Sequence, residues 1–171
     1  MTNPHSRIVS IRPALQHAIS RQFDYDDFSL TYDLSLPRER RFREARISCH
    51  PRIAADPVEP RMARADVVTV NCRAVIIQRE MTVHEFLNSK PPNPHSAERP
   101  ATLDDIAAFV ASFRLVAMQH TTVCYNTSIF DKDSGLMSHV GFQPAGRDFE
   151  ALMYDRKERG LLIDDLVILR K

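Results

Sequence analysis

The spacing of apolar residues along the chain predicts its longest strand and its clearest helix. Every second residue from Val68 to Ile76 is apolar, so residues 66–79 are predicted to form a long strand with one apolar face. In residues 102–118, apolar side chains recur three or four positions apart, which is typical of an amphipathic helix. Thr102 followed by Asp105 has the spacing of a capping box, which favours a helix start at that point.

Weaker patterns predict the remaining elements. Strands are expected at residues 7–12, about 27–36, 121–126, 142–149 and 161–170, with a short one around 42–49. Helices are expected at residues 14–23 and 133–140, with a turn or two at 82–89. Proline-rich stretches at 37–65 and 88–101 predict irregular structure, since proline lacks a backbone donor and fixes φ.

The order of these elements predicts an α+β fold. Strands and helices are mixed, and the final strands lie too close together in sequence for parallel crossovers. A length of 171 residues suits one compact domain, so we expect residues 1–171 to form a single mostly antiparallel sheet flanked by helices.

Composition narrows the class of protein. No apolar run approaches the ~20 residues that cross a bilayer, and the first residues have no apolar core of signal-peptide length. We therefore expect a cytoplasmic protein with no membrane contact. The formal net charge is +1, so no global field draws the chain to nucleic acid.

Arginine is concentrated in one segment. Residues 37–65 contain eight arginines against four acidic residues. One interpretation is an arm that contacts phosphates or an acidic protein partner. The other is a solvated strand and loop with no binding role. Nucleic-acid binding is the weaker form of the first interpretation, because no aromatic residues alternate with the basic ones.

The cysteines and histidines are scattered. Cys49, Cys72 and Cys124 have no metal-ligand spacing, so we expect no metal site and no disulfide framework. Cys124, beside Tyr125, is a candidate nucleophile if His120 or His139 converges on it as a base. Packing of Cys124 in the core is the alternative.

Two acidic clusters are also candidates. Asp164 and Asp165 interrupt an apolar strand, so one of them is expected to face the core or a cleft. It could act as a general base, or it could pair with an arginine or a backbone N–H. Residues 24–27 (DYDD) could gather a cation or form a solvated turn.

The segment from Thr102 to Lys171 resembles the C-terminal half of the GNAT family of N-acetyltransferases. The resemblance covers the helix at 102–118, a strand "TTVCYN" ending at Asn126, and "LMSHVGF" before the final strands. The opening "IRPALQHAI" is similar to the family's first strand and helix. Positions of the family's glycine and phenylalanine are occupied by Gly141 and Phe142.

The resemblance implies an N-acyltransferase that uses acetyl-CoA or another acyl-CoA to acylate an amine. In such a fold the cofactor inserts where two parallel strands separate, and Asn126 is expected to contact it. Met137 stands where the family's proton-donating tyrosine is expected, and a thioether has no proton to donate. The cofactor loop is also expected to be rich in glycine, but residues 80–105 contain none.

These two departures support an alternative function. The chain is then a non-catalytic interaction or assembly protein: a subunit of a larger complex, a viral component or an inhibitor. On this interpretation the segments rich in proline and arginine contact a protein partner.

Overall fold

All the strands of the described chain belong to one sheet. The computed structural model describes residues 24–55, 66–89, 98–131, 136–155 and 160–171. The strands are β1 (Phe28–Asp33), β2 (Ile47–Cys49), β3 (Val67–Ile76), β4 (Arg99–Pro100), β5 (Thr122–Asp131), β6 (Leu136–Ala145), β7 (Asp148–Asp155) and β8 (Leu166–Arg170). The helices are α1 (Arg38–Glu44), α2 (Pro51–Ala54), α3 (Val83–Ser89), α4 (Leu103–Ser112) and α5 (Arg114–Ala117).

The sheet is mixed and mostly antiparallel, as the sequence predicts. Its strand order is β1-β3-β8-β5-β6-β7-β2, with β4 also paired to β8. Among the described strands, only β5 with β8 and β2 with β7 are parallel pairs. Together with the helices, this arrangement confirms the α+β class.

Residues on the two faces of the sheet pack into two separate apolar clusters. Leu166 and Ile168 of β8 belong to the main cluster, which also contains most of α4. The alternate residues Val167 and Leu169 belong to the second cluster, with Phe86 of α3. Since successive side chains of a strand point to opposite faces, the two clusters lie on opposite sides of the sheet.

The predicted long strand and the predicted helix start at Thr102 are confirmed. Residues 67–76 form β3, and its alternate residues Cys72 and Ala74 are buried in the main cluster. At the start of α4, the Thr102 hydroxyl accepts the Asp105 N–H at 3.3 Å, and the Asp105 carboxylate accepts the Thr102 N–H at 2.7 Å. This reciprocal capping box satisfies two backbone donors at the helix start.

Several predicted elements differ in the structure. The helix predicted at 102–118 is divided into α4 and α5 at Phe113, which has φ −117° and ψ 43°. The segment predicted as a strand at 142–149 is a hairpin, because β6 ends at Ala145 and β7 begins after a turn at Gly146, which has a φ of +66°. The final strand covers Leu166–Arg170, with only an isolated bridge at Leu161.

Two other predictions need correction. The helix predicted at 133–140 is wrong for residues 136–140, which belong to β6 because this strand pairs on both sides, with β5 and β7. The segment 37–65, predicted to be irregular, contains α1, β2 and α2 in its described part. The predicted strand at 7–12 and helix at 14–23 lie outside the described residues.

Candidate functional site

Asn126, the expected cofactor contact, is exposed on an irregular part of β5. The β5–β6 ladder pairs Cys124 with Val140 and resumes at Ile129 with Ser138. Four residues of β5, including Asn126, therefore face one residue of β6, which is an enlarged β-bulge. Met137 lies beyond the bulge, paired with Phe130.

The parallel strands next to Asn126 separate, and the chain itself occupies the space between them. β5 and β8 pair only at Thr122 with Leu166 and at Val123 with Val167. Farther along β8, Arg99 and Pro100 of β4 pair with Arg170 and Leu169 instead. The Ala101 carbonyl then accepts the Cys124 thiol at 3.6 Å, so residues 99–101 link the two diverging strands.

The structure does not assemble a nucleophile at Cys124. Cys124 is buried in the main cluster, whereas its neighbour Tyr125 belongs to the second cluster and meets Phe86 edge to face at 6.0 Å. Burial raises the pKa of the Tyr125 hydroxyl, so this group stays protonated at neutral pH. His120 is half-buried, and its Nδ1 lies 2.9 Å from the Asp164 carbonyl oxygen.

Close packing against Tyr154 accounts for the glycine at position 141. A β-carbon at Gly141 would lie 2.5 Å from Cε2 of Tyr154, so only glycine fits there without displacing the ring. His139 is buried, and its ring centroid lies 6.1 Å from that of Tyr154. Close packing therefore explains the glycine before Phe142, which is itself in the main core.

In each of the two acidic clusters, one carboxylate accepts backbone N–H groups within a turn. The Asp165 carboxylate is buried and accepts the Leu162 N–H at 2.9 Å, in agreement with the structural alternative. Asp24 accepts the N–H groups of Asp26 and Asp27, which forms an exposed turn. Within the described residues, no group of three His, Cys, Asp or Glu side chains is placed to hold a metal ion.

A buried ionic network at the start of α4 was not predicted from the sequence. The Asp104 carboxylate accepts Nε and Nη2 of Arg38 at 3.0 and 2.7 Å, and Nη1 of Arg41 approaches it to 2.7 Å. Burial alone would raise the pKa of the Asp104 carboxyl, but the hydrogen bonds and charges of the two arginines outweigh burial and hold the pKa below its ordinary value.

Asp105 is the centre of a second buried pair. Its carboxylate accepts Nε and Nη2 of Arg170 at 2.5 and 2.8 Å and the Tyr32 hydroxyl at 2.6 Å. Burial, followed by the charge of Asp105, raises the pKa of Tyr32. This network joins β1, α4 and β8, so its role is to hold the helix start against the sheet.

An open groove lies at the edge of the sheet. It has a volume of about 680 Å³ and surrounds β2, with walls from α1, α2 and the β6–β7 turn. We call it the β2 groove; its lining includes Phe42, Arg43, Arg46, Ile47, Ser48, Cys49, Pro51, Asp148 and Phe149. Within the described residues, β2 has a strand neighbour only on its β7 side.

Arg46 stands at the rim of this groove in an unfavourable backbone conformation. Its φ is +57°, in the left-handed region that favours glycine at the end of a helix. The Arg46 side chain is 66% exposed and lies 3.8 Å from Asp148, which also contacts Arg114. An exposed arginine therefore occupies a position where glycine would be less strained.

Comparison with protein-family models found no match, and comparisons with curated proteins and with solved structures found none either. Among the helices in the described part of the chain, none combines the length and apolar character needed to cross a membrane.

Proposed function

We propose that this protein is a non-catalytic interaction module that binds an extended, acidic segment of a partner protein in the β2 groove. The observation that carries this proposal is that β2, at the edge of the sheet in the described part of the chain, lies inside an open cavity. An edge strand presents backbone N–H and C=O groups that can pair with an added strand.

The ladder between β2 and β7 indicates which backbone groups face the groove. The Arg46 carbonyl accepts the Phe149 N–H at 3.0 Å, and β2 then runs parallel to β7. In a parallel ladder, alternate residues direct both backbone groups to one neighbour. The backbone groups of Ser48 therefore pair with β7, and those of Ile47 and Cys49 point to the open side.

The floor of the groove is apolar, and arginines outnumber acidic residues at and near its rim. Phe42, Ile47 and Phe149 are buried beneath it. Arg43 and Arg46 are exposed at its rim, and Arg52 of α2 is exposed nearby. Glu39 and Asp148 are the acidic lining residues, but Asp148 is already shared by two arginines. Positive charge at the rim favours an acidic partner.

A peptide fits these features better than a nucleic acid does. Single-stranded nucleic acid binds through exposed aromatic rings on which its bases stack. The aromatic residues of the groove are Phe42 and Phe149, which are 1% and 0% exposed, so neither offers a stacking face. The Cys49 thiol gives no sign of catalysis, because burial raises its pKa.

The test uses a fluorescein-labelled peptide of about six residues, the usual length of a strand, that alternates valine with glutamate. We expect saturable binding by fluorescence anisotropy, and little binding when lysine replaces glutamate. The double variant Arg43→Glu/Arg46→Glu should weaken binding at least about tenfold. Arg79→Glu, a charge reversal at an exposed position outside the groove, should leave binding unchanged.

Cys49→Pro tests the strand edge separately. Proline removes the N–H that points to the open side and keeps the Ser48 groups that pair with β7. We expect it to abolish peptide binding while the circular dichroism spectrum is unchanged. Equal binding of the acidic and basic peptides, binding that survives the double variant, or stronger binding of an oligonucleotide would overturn the proposal.

One observation favours N-acyltransferase activity on a GNAT-like fold as a second candidate. The parallel strands β5 and β8 separate after two pairs, close to Asn126, as the resemblance predicts for an acyl-CoA site. The ligand would have to displace β4, which occupies that space. If this candidate is correct, acetyl-CoA raises the melting temperature and Asn126→Ala reduces the increase. If acetyl-CoA leaves the melting temperature unchanged, the acyltransferase candidate is wrong.

A further inference from the structure

A second cavity, of about 270 Å³, lies between β1, α1 and α4 on the other side of α1 from the β2 groove. We call it the α4 pocket. Its lining includes the buried Asp104, the nearly buried Arg41 and the apolar side chains of Leu36, Ala107 and Ala108. The proposed function of the β2 groove does not use this pocket.

Arg41 is held rigidly at the pocket and its charge is only partly compensated. Its Nε donates to the Leu36 carbonyl at 3.0 Å, and its Nη1 approaches Asp104 to 2.7 Å. Both oxygens of the Asp104 carboxylate already accept hydrogen bonds from Arg38. One carboxylate therefore faces two guanidinium groups. Among the described contacts of Arg41 none uses Nη2, which leaves two N–H donors for a ligand.

The rest of the pocket defines the class of ligand. The walls formed by Leu36, Ala107 and Ala108 are apolar and suit a short hydrocarbon body. Asp33 and Glu44 also line the pocket and are exposed. Glu44 already pairs with Arg40 at 3.0 Å, and the charge of Asp33 opposes a ligand with two negative charges more strongly than a ligand with one.

We propose that the α4 pocket binds the carboxylate of a small organic monoacid through Arg41. A guanidinium recognises a carboxylate through directed N–H donors, and a site with an apolar wall discriminates an organic acid from an inorganic anion. Ala111 lies exposed at the pocket, so a larger side chain there would narrow the site without entering the core.

The test is a heteronuclear NMR titration of the full chain with propionate, with succinate and inorganic phosphate as comparison probes. We expect propionate to shift the amide signals of Ala107 and Ala108 saturably, with an affinity at least about tenfold above that for phosphate. Arg41→Gln should abolish the shifts. Ala111→Leu should weaken propionate binding about tenfold, whereas Ala55→Leu, at an exposed position outside the pocket, should not.

Arg41→Gln and Ala111→Leu test the pocket in different ways. If Arg41→Gln fails to fold, Ala111→Leu still tests whether propionate binds there. If Ala111→Leu is folded and binds propionate as the unmodified protein does, the proposal is overturned. Equal or tighter binding of phosphate, or the absence of saturable shifts with propionate, also overturns it. Peptide binding in the β2 groove is measured separately and does not depend on these results.

Discussion

Helix α1 places the same residue type in two contrasting environments. On its inner side, Arg38 and Arg41 are almost completely buried against Asp104. On its outer side, Arg40 is 63% exposed beside Glu44, and Arg43 lines the β2 groove. Arginines of the same short helix therefore have different roles: the inner pair fixes α1 to α4, and the outer pair sets the charge of a surface.

The ion pairs on the inner and outer sides of α1 are expected to differ strongly in how much their loss lowers the free energy of unfolding. Two buried charges lose their hydration, and each then depends on its partner, so removing one partner leaves an uncompensated charge inside the protein. An exposed pair keeps its hydration and is screened by salt. Substitutions on the two sides of α1 measure this difference.

Asp104→Ala should have the largest effect. It leaves Arg38 and Arg41 buried without their shared carboxylate, which is expected to lower the free energy of unfolding by about 3–5 kcal/mol. Urea denaturation measures the change. Asp148→Ala is the matched control, because Asp148 is 59% exposed and should cost no more than about 0.5 kcal/mol. Similar costs for the two variants would contradict the contrast.

The buried side should also respond to acid. The folded-state pKa of Asp104 lies below its ordinary value of 3.8, so its contribution to stability is complete above that pH and is lost as the pH falls through the lower, folded-state pKa. The free energy of unfolding should therefore decrease as the pH is lowered below 3.8. The decrease should be smaller in Asp104→Asn, and an unchanged slope in that variant would count against the assignment.

Arg46→Gly should raise stability while weakening peptide binding. Glycine adopts the left-handed conformation at this position without strain, which is expected to add about 0.5–1 kcal/mol to the free energy of unfolding. Ala45→Gly is the control, because Ala45 has an ordinary φ of −75°. Glycine at that position should lower the free energy of unfolding. A loss of stability in Arg46→Gly would show that the arginine side chain supports the fold.

Arg40→Ala should have the smallest effect. Its Nε lies 3.0 Å from Glu44 at i,i+4 spacing on the exposed side of α1. Such pairs contribute about 0.3–0.5 kcal/mol, and salt screens them. Thermal unfolding at low and high salt should show a slight decrease in stability that disappears at high salt. A decrease as large as that of Asp104→Ala would abolish the distinction between the two sides.

Local patterns were sufficient for some elements and not for others. The capping box of Thr102 and Asp105 and the alternation of β3 are short-range features, and both are correct. The segment at 136–140 becomes a strand because β5 and β7 pair with it on both sides, and such partners are not visible in a local window. In the segment predicted as a strand at 142–149, Gly146 marked the turn between β6 and β7.

The candidate sites were harder to predict for a related reason. Asp104 and Asp105 have the sequence positions of helix-start acids, which explains them locally. Their arginine partners lie 66 and 65 residues away along the chain, so the ionic network exists only after folding. The arginine-rich segment did indicate a charged surface, but its composition did not distinguish the inner arginines from the outer ones.

The position of β8 has a consequence for synthesis of the protein. In the strand order, β8 separates the pair β1-β3 from the group β5-β6-β7-β2. A nascent chain that has not yet exposed residues 166–170 therefore contains two half-sheets with no strand between them. Translation must proceed past these residues before the halves can join, whereas in a sheet built from consecutive strands each new strand adds to an edge that is already formed.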